Sequence, residues 1–142
     1  MADRFSRRIN YYETDRMGIV HHSNYIRYME EARFDYMRES GVDYADVERR
    51  GVLMPVLNVS CRYKRSARFG DTLEIETRLE KFNGIRASYS YKFYFAGSDE
   101  VICEGSSEHC FVDMETRRPV NIKNRLKDYS DIMLEMVRGN NR

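Results

Sequence analysis

The sequence has no surplus of charge: 24 Lys and Arg against 23 Asp and Glu leave a formal net charge of +1 over 142 residues. A chain this balanced offers no electrostatic case for a nucleic acid or an acidic membrane surface, so any anionic partner must be met by a local patch. It also lacks an apolar run near the roughly 20 residues that a membrane span requires. The polar start Met1-Ala2-Asp3-Arg4 has no apolar stretch of the kind a secretion signal carries. A cytoplasmic location is expected. Cys61, Cys103 and Cys110 are odd in number, have no CxxC spacing and fall within strand-like segments, which argues against a disulfide framework or a zinc ribbon. They are expected to be reduced core residues, with a cysteine nucleophile as the alternative. No Walker or dinucleotide glycine pattern occurs, and no G-x-S-x-G; the Ser106-Ser107 pair lies inside a continuing strand pattern and is not a nucleophile elbow. Nothing resembles a linker, so one domain over residues 1–142 is expected.

What the chain does have is one dense block, Thr14-Asp15-Arg16-Met17-Gly18-Ile19-Val20-His21-His22-Ser23-Asn24-Tyr25, leading into a helical pattern. Before it, Phe5 to Tyr12 reads as a strand with Phe5, Arg7, Ile9 and Tyr11 on one face. After it, Tyr25, Met29, Ala32 and Tyr36 recur at helical spacing over Asn24 to Ser40, with Ser23 or Asn24 as N-cap and Gly41 as C-cap. Tyr28 and Phe34 widen the apolar stripe, so this helix is expected to be covered on several sides. A polar connection, Val42 to Gly51, comes next.

The remainder alternates with the period of strands. Leu57, Val59, Cys61 and Tyr63 read as a half-buried strand, and Leu73, Ile75, Thr77 and Leu79 as a second. Asn83-Gly84 suits a tight hairpin because both positions tolerate positive φ. Ile85 to Phe95 returns, Gly97-Ser98-Asp99 turns, and Val101 to Met114 is the last long strand, ended by Arg118-Pro119. Asn124 to Val137 is a closing helix. The expected fold is α+β, an antiparallel sheet of about five strands curled around one long helix. Such a sheet leaves edges that pair with another copy, so a homo-oligomer, dimer or tetramer, is expected.

Arg8-Ile9, Thr14-Asp15, Gly18-Ile19-Val20 and Ser23-Asn24-Tyr25, in that order and spacing, resemble the signature of the 4-hydroxybenzoyl-CoA thioesterase-like branch of the hotdog-fold acyl-CoA thioesterases. The resemblance continues through Tyr28 to Arg33, Tyr63 to Asp71, Phe111-Val112-Asp113 and Arg118-Pro119-Val120, and so covers nearly the whole chain. It is nearest to the short-chain and Tol-Pal-associated thioesterases, which carry a histidine where His22 sits. Ser66 stands where many relatives have proline. The resemblance implies a hotdog fold, hydrolysis of an acyl-CoA, no cofactor beyond the coenzyme A of the substrate, and phosphate binding by some of Arg62, Lys64, Arg65, Arg68 and Arg86, of which Arg65 and Arg86 are put forward.

The chemistry is also readable from the residues. Thioester hydrolysis passes through a tetrahedral oxyanion, so a site needs a group that attacks or activates water and a group that holds negative charge. Asp15 can attack to give a mixed anhydride, or take a proton from water. Backbone amides around His22 to Asn24 at the helix start can hold the oxyanion, and Gly18 lets the thioester approach the backbone. His22 can orient Asp15, share its proton or protonate the leaving thiolate, since imidazole titrates near neutrality; a loop role that caps the helix stands beside this for both His21 and His22. Tyr25, Asn24 and Met29 are candidate substrate contacts, with the aromatics of Tyr89 to Phe95 and a neighbouring subunit completing the acyl pocket. Glu30 is a second carboxylate on the helix, expected to be a structural partner for Arg33, with a second catalytic group as the alternative, and His109 a core or interface histidine. No metal site is expected, because adjacent histidines tend to point apart and HxH or HxxxH spacing is missing. Two rival readings remain: a hotdog dehydratase acting on hydroxyacyl thioesters, and a non-catalytic acyl-thioester binding module.

Overall fold

The computed structural model describes residues 3–140. In chain order the elements are β1 (Phe5–Arg8), a 3-10 turn (Tyr11–Glu13), α1 (Ser23–Ser40), α2 (Tyr44–Arg49), β2 (Val52–Leu53), β3 (Val56–Tyr63), β4 (Thr72–Phe82), β5 (Arg86–Phe95), β6 (Val101–Cys110), β7 (Val112–Asp113), α3 (Ile122–Arg125) and α4 (Lys127–Asn140). Five strands form an antiparallel sheet in the order β1-β4-β5-β6-β3, and β2 pairs with β7 as a separate ribbon. α1 packs against β1, β3 and β4. This is the expected α+β arrangement of one long helix on a five-stranded antiparallel sheet.

The alternation in β4 follows its burial: Leu73, Ile75, Thr77 and Leu79 are buried while Arg78 and Glu80 face out. On β5, Ala87, Tyr89, Tyr91 and Phe93 are buried in the same way. Asn24, Tyr25, Tyr28, Met29, Ala32, Arg33 and Met37 form the covered stripe of α1, at the i, i+3 and i+4 spacing that places side chains on one helix face. Ile26 is 43% exposed, and Arg27 and Glu30 are exposed beside it, so one stripe of the helix stays open. Gly105 lets α1 sit close to the sheet, since a Cβ there would stand 2.5 Å from Met29 Sδ. Gly41 ends the helix in the left-handed region at φ +102, as its C-cap position demands.

Several boundaries differ from expectation. β1 stops at Arg8, because Asn10 to Glu13 closes a 3-10 turn in which the Glu13 carboxylate accepts the Asn10 N–H at 2.8 Å. β3 is not half-buried: Val56, Leu57 and Tyr63 are 53%, 48% and 47% exposed because the strand lies at the sheet edge. The polar connection holds α2, whose N-cap Asp43 accepts the Ala45 N–H at 3.0 Å. The hairpin after β4 is shifted by one residue. Asn83 N donates to Arg86 O at 3.1 Å, so Gly84, at φ +94, and Ile85 are its central pair, while the Asn83 side chain accepts the Ile85 and Arg86 N–H groups. The last long strand ends at Cys110 and passes its next residues to the β2–β7 ribbon. The closing helix is broken at Leu126, where φ −130 and ψ 59 leave helical space. None of the described helices is long and apolar enough to cross a membrane.

Candidate active site

The Thr14-to-Tyr25 block folds back on itself. Thr14 bridges Val20, Asp15 N donates to Ile19 O at 2.8 Å and Gly18 N donates to Asp15 O at 2.9 Å. Gly18 sits at φ +81 with nothing within 4 Å of where a Cβ would be, so the turn is open on that side. Its positive φ is the reason for glycine here. Three further bonds anchor the far side of the loop: Val20 N donates to Ala67 O at 2.8 Å, and Glu13 O accepts both His21 N at 2.9 Å and Asn24 Nδ2 at 2.8 Å.

Beside this loop is a cavity of about 320 Å³ lined by Asp15, Met17, Ile19, Val20, His22, Tyr25, Tyr63, Lys64, Arg65 and Ser66. The structure therefore gathers Asp15, His22, Tyr25 and Arg65 around one space. Asp15 Oδ1 accepts the Met17 N–H at 2.8 Å, an Asx-type turn, and Oδ2 has no partner among the described residues. Tyr25 is buried at 3% exposure, and burial pushes its phenol up to about 12. It is neutral at physiological pH. Its ring meets Tyr63 at 5.1 Å between centroids, and the Tyr63 hydroxyl donates to His22 O at 3.2 Å. Arg65 lines the cavity but also pairs with Glu100, Nε to Oε1, at 2.9 Å on the surface.

The helix start is more committed than its N-terminal position suggests. His21 Nδ1 accepts the Ser23 N–H at 3.2 Å, and His21 O accepts the Asn24 N–H at 2.9 Å. An acceptor at Nδ1 puts the His21 proton on Nε2. His21, and not Ser23 or Asn24, thus provides the cap. Of the three amides from His22 to Asn24, only that of His22 meets no acceptor among the described residues. The two imidazoles do not point apart: their rings stack at 4.1 Å with a 30° tilt. No group of three or more His, Cys, Asp or Glu is placed to hold a metal ion among the described residues.

Other candidates lie elsewhere. Asn24 is buried and its side-chain amide is used on Glu13 O, holding the loop. Met29 is buried over Gly105 and is absent from the lining of the Asp15 cavity. Arg86 lines a separate space of about 340 Å³ with Leu57, Lys81, Ser88 and Glu108, so in one chain it does not share a cavity with Arg65. Glu30 is exposed on a larger cavity of about 830 Å³ between α1 and α2. Arg33 does not pair with it; its Nη1 donates to the Tyr91 hydroxyl at 3.2 Å. That larger cavity is lined by Glu30, Glu31, Asp35, Asp43 and Glu48 against Arg33 and Arg38, an acidic surplus that poorly matches a polyanionic ligand, and it contains none of the loop chemistry. His109 is a core histidine: Nε2 meets Ser107 Oγ at 2.8 Å, and burial, aided by Arg33, lowers it to about 4. Ser107 is only 2% exposed, so this Ser–His contact is sealed from substrate.

Two contributors carry no signal in the sequence. Glu13 is 4% exposed and takes two bonds from Arg7, at 2.9 and 2.6 Å, while Arg7 Nε also reaches Glu31 at 2.8 Å. A charged residue before a loop reads as solvated, and nothing in its spacing names Arg7 as its partner. Tyr63 reads as one more alternating strand residue, yet it forms a wall of the cavity.

The sequence matches the Thioesterase-like superfamily over residues 9–129. A Bacillus subtilis protein, provisionally named acyl-CoA thioesterase YneP, is 35% identical over 121 residues, covering 85% of this chain and 87% of its own. The 1,4-dihydroxy-2-naphthoyl-CoA hydrolase of Thermosynechococcus vestitus is 24% identical over 123 residues, 86% of this chain and 84% of its own. The DHNA-CoA thioesterase from Staphylococcus aureus superposes with a TM-score of 0.93 at 29% identity, over 98% of this chain and 93% of that one.

Proposed function

The chain belongs to the thioesterase-like superfamily of hotdog-fold thioester hydrolases, and we propose that it hydrolyses acyl-CoA to a free acid and coenzyme A at the Asp15 cavity. The observation that carries this reading is the arrangement of Asp15: one carboxylate oxygen is fixed by the Met17 N–H and the other is unpartnered among the described residues, in a cavity that also holds His22 and the start of α1. A carboxylate so held has its orientation set by the backbone and one oxygen free to react. It either attacks the thioester carbonyl, expelling the thiolate and leaving a mixed anhydride for water to open, or removes a proton from the attacking water. His22 delivers a proton to the departing thiolate. The tetrahedral oxyanion is held by the His22 N–H and the positive end of α1, the neighbouring amides of Ser23 and Asn24 being already bonded.

The acyl group lies against Tyr25, Tyr63, Ile19 and Val20, walls that suit a short or aromatic acyl group. Lys64 and Arg65, which line the cavity while pairing with Glu104 and Glu100, exchange these partners for the coenzyme A phosphates. β3 lies at a sheet edge, hydrogen-bonded only to β6 among the described residues, with exposed Val56 and Leu57, and such an edge pairs with another copy. When two copies of one edge strand pair antiparallel about a two-fold axis, the start of each lies beside the end of the other. The Leu57 end, with Arg86 and Lys81, then adjoins the partner's site at the Tyr63-to-Arg65 end. Arg86 thus enters the site through a homodimer, which a second pairing can extend to a tetramer. The reaction needs no cofactor, and the enzyme acts in the cytoplasm.

The test is thiol release from short-chain, long-chain and aromatic acyl-CoAs by the wild-type protein and by Asp15→Asn. The variant is expected to lose about two orders of magnitude or more in kcat while still binding substrate. No thiol release from any of them by the wild-type protein overturns the reading. Loss of water from a hydroxyacyl-CoA without thiol release would identify a dehydratase instead.

A further inference from the structure

Next to the Asp15 cavity, the inner side of the sheet edge carries a second reactive pair. Cys61 lies on β3 and Cys103 on β6, and their sulfurs stand 3.4 Å apart. The register explains the closeness. Cys61 is opposite Gly105 and Cys103 is opposite Tyr63, so the two are diagonal neighbours, whose Cα atoms in a sheet are usually about 7 to 8 Å apart. Gly105 has no side chain to stand between them, and the Cys61 sulfur reaches that of Cys103 beside the Met29 side chain that covers Gly105. The two thiols are not equivalent. Cys61 is half-buried and Cys103 is fully buried. The two sulfurs share a hydrogen bond, which lowers the Cys61 thiol against the effect of burial, whereas that bond and burial together push Cys103 up. The reachable sulfur is therefore the more readily ionised of the two.

We infer that Cys61 and Cys103 form a modification site that a hydroperoxide closes into a reversible disulfide. The Cys61 thiolate attacks the terminal oxygen of the hydroperoxide; the O–O bond breaks, a sulfenic acid forms on Cys61, and the departing alkoxide takes a proton to become an alcohol. The Cys103 sulfur then attacks the Cys61 sulfur; the S–S bond forms, the S–O bond breaks, and hydroxide leaves with the Cys103 proton as water. Two electrons pass from the two thiols to one hydroperoxide. A small-molecule thiol reverses the reaction by exchange.

The site is coupled to the cavity through β3. To bond, the sulfurs must approach by roughly 1.4 Å, which draws the edge strand toward β6. Tyr63 is two residues beyond Cys61 on the same face, and it is the residue that bonds His22 O and packs on Tyr25. Closing the disulfide therefore displaces a wall of the substrate cavity and slows turnover, a consequence that rests on the thioesterase reading. Edge pairing between copies uses backbone groups in the plane of the sheet, whereas the half-buried Cys61 side chain projects from its face, within reach of hydrogen peroxide.

The experiment treats the full-length reduced protein with hydrogen peroxide, blocks the remaining thiols and maps the products by non-reducing peptide mass spectrometry. A Cys61–Cys103 link with Cys110 still free, reversed by dithiothreitol, is expected. Cys61 should react faster than Cys110, the other half-buried thiol. Cys103→Ser should stop at a Cys61 sulfenic acid trapped by dimedone, and Cys61→Ser should give no adduct at Cys103. Preferential oxidation of Cys110, a Cys61 link between chains, or no dimedone trapping in folded Cys103→Ser would each overturn the proposal. Acyl-CoA turnover is compared between oxidised wild-type and oxidised Cys61→Ser. A disulfide that leaves turnover unchanged refutes the coupling alone. Absence of turnover in the reduced protein refutes the thioesterase reading and leaves the disulfide map to decide the modification.

Discussion

Replacing Glu13 by Gln tests whether the reactive loop is held from beneath by a buried ion pair. The Glu13 carboxylate is 4% exposed, accepts two bonds from Arg7 and one from Asn10 N, and its own carbonyl ties down His21 and Asn24. Removing one partner of a buried pair costs about 3 to 5 kcal/mol when the other is left uncompensated. Arg7 keeps Glu31 at 2.8 Å, and glutamine retains one acceptor oxygen, so the expected loss is about 2 to 3 kcal/mol, or a fall of roughly 5 to 10 °C in Tm for a chain of this size. The pH dependence comes from the direction of the shift. Burial alone would raise the Glu13 carboxyl, but the Arg7 and Asn10 bonds outweigh it and hold it below the ordinary value. The stabilisation is therefore complete above the unfolded value of about 4.3 and disappears as pH falls through the lower folded value. Thermal unfolding by circular dichroism at one protein concentration should show the full wild-type-to-variant gap at pH 7 and a closing gap in acid below about pH 4. A gap under about 0.5 kcal/mol at neutrality, the range of an ordinary surface change, or a gap that acid leaves untouched, would refute the anchor.

Gly105→Ala should destabilise by about 1 to 3 kcal/mol in urea unfolding, since its Cβ would meet Met29 Sδ at 2.5 Å and the Ser60 carbonyl oxygen at 3.0 Å. The sulfur is the flexible end of a side chain and can move aside, whereas relief at the Ser60 oxygen requires β3 itself to shift. Leu57→Lys places a charge on the exposed start of β3 and should shift the protein toward monomer in light scattering, with turnover falling in proportion where Arg86 acts across the interface; an unchanged mass would relocate the interface.

The parts legible in the sequence are those whose partners are local or repeat along the chain. The buried set of β4 and β5 follows from alternation alone, and the covered stripe of α1 from helical spacing. The grouping of Asp15, His22 and Tyr25 followed from their nearness in one block. What was not legible depends on distant chain. Leu57, Val59, Cys61 and Tyr63 have the same period as β4, but alternation does not say whether a neighbour covers the strand, and β3 is an edge. The Asn83-Gly84 signal gave the right place and the wrong register, because the Asn83 side chain bonds the returning strand instead of entering the turn centre. Glu13 was invisible as an anchor because its burial comes from Arg7 and α1, elements that composition treats as unrelated.

The least buried long strand touches most of the chemistry. One end of β3 supplies Tyr63 to the Asp15 cavity, its middle places Cys61 against Cys103, and its other end supplies Leu57 to the space that holds Arg86. A strand with that load would ordinarily be stabilised by packing on both sides, yet β3 has a hydrogen-bonded neighbour only in β6 among the described residues. Local stability along a chain follows contact density, and weakly covered elements open first. An edge strand is therefore where a cavity wall can shift at least cost to the core, so the proposed pairing with a second copy and the proposed cross-link to β6 would act on the same movable element: the first would complete the site, and the second would draw its wall away.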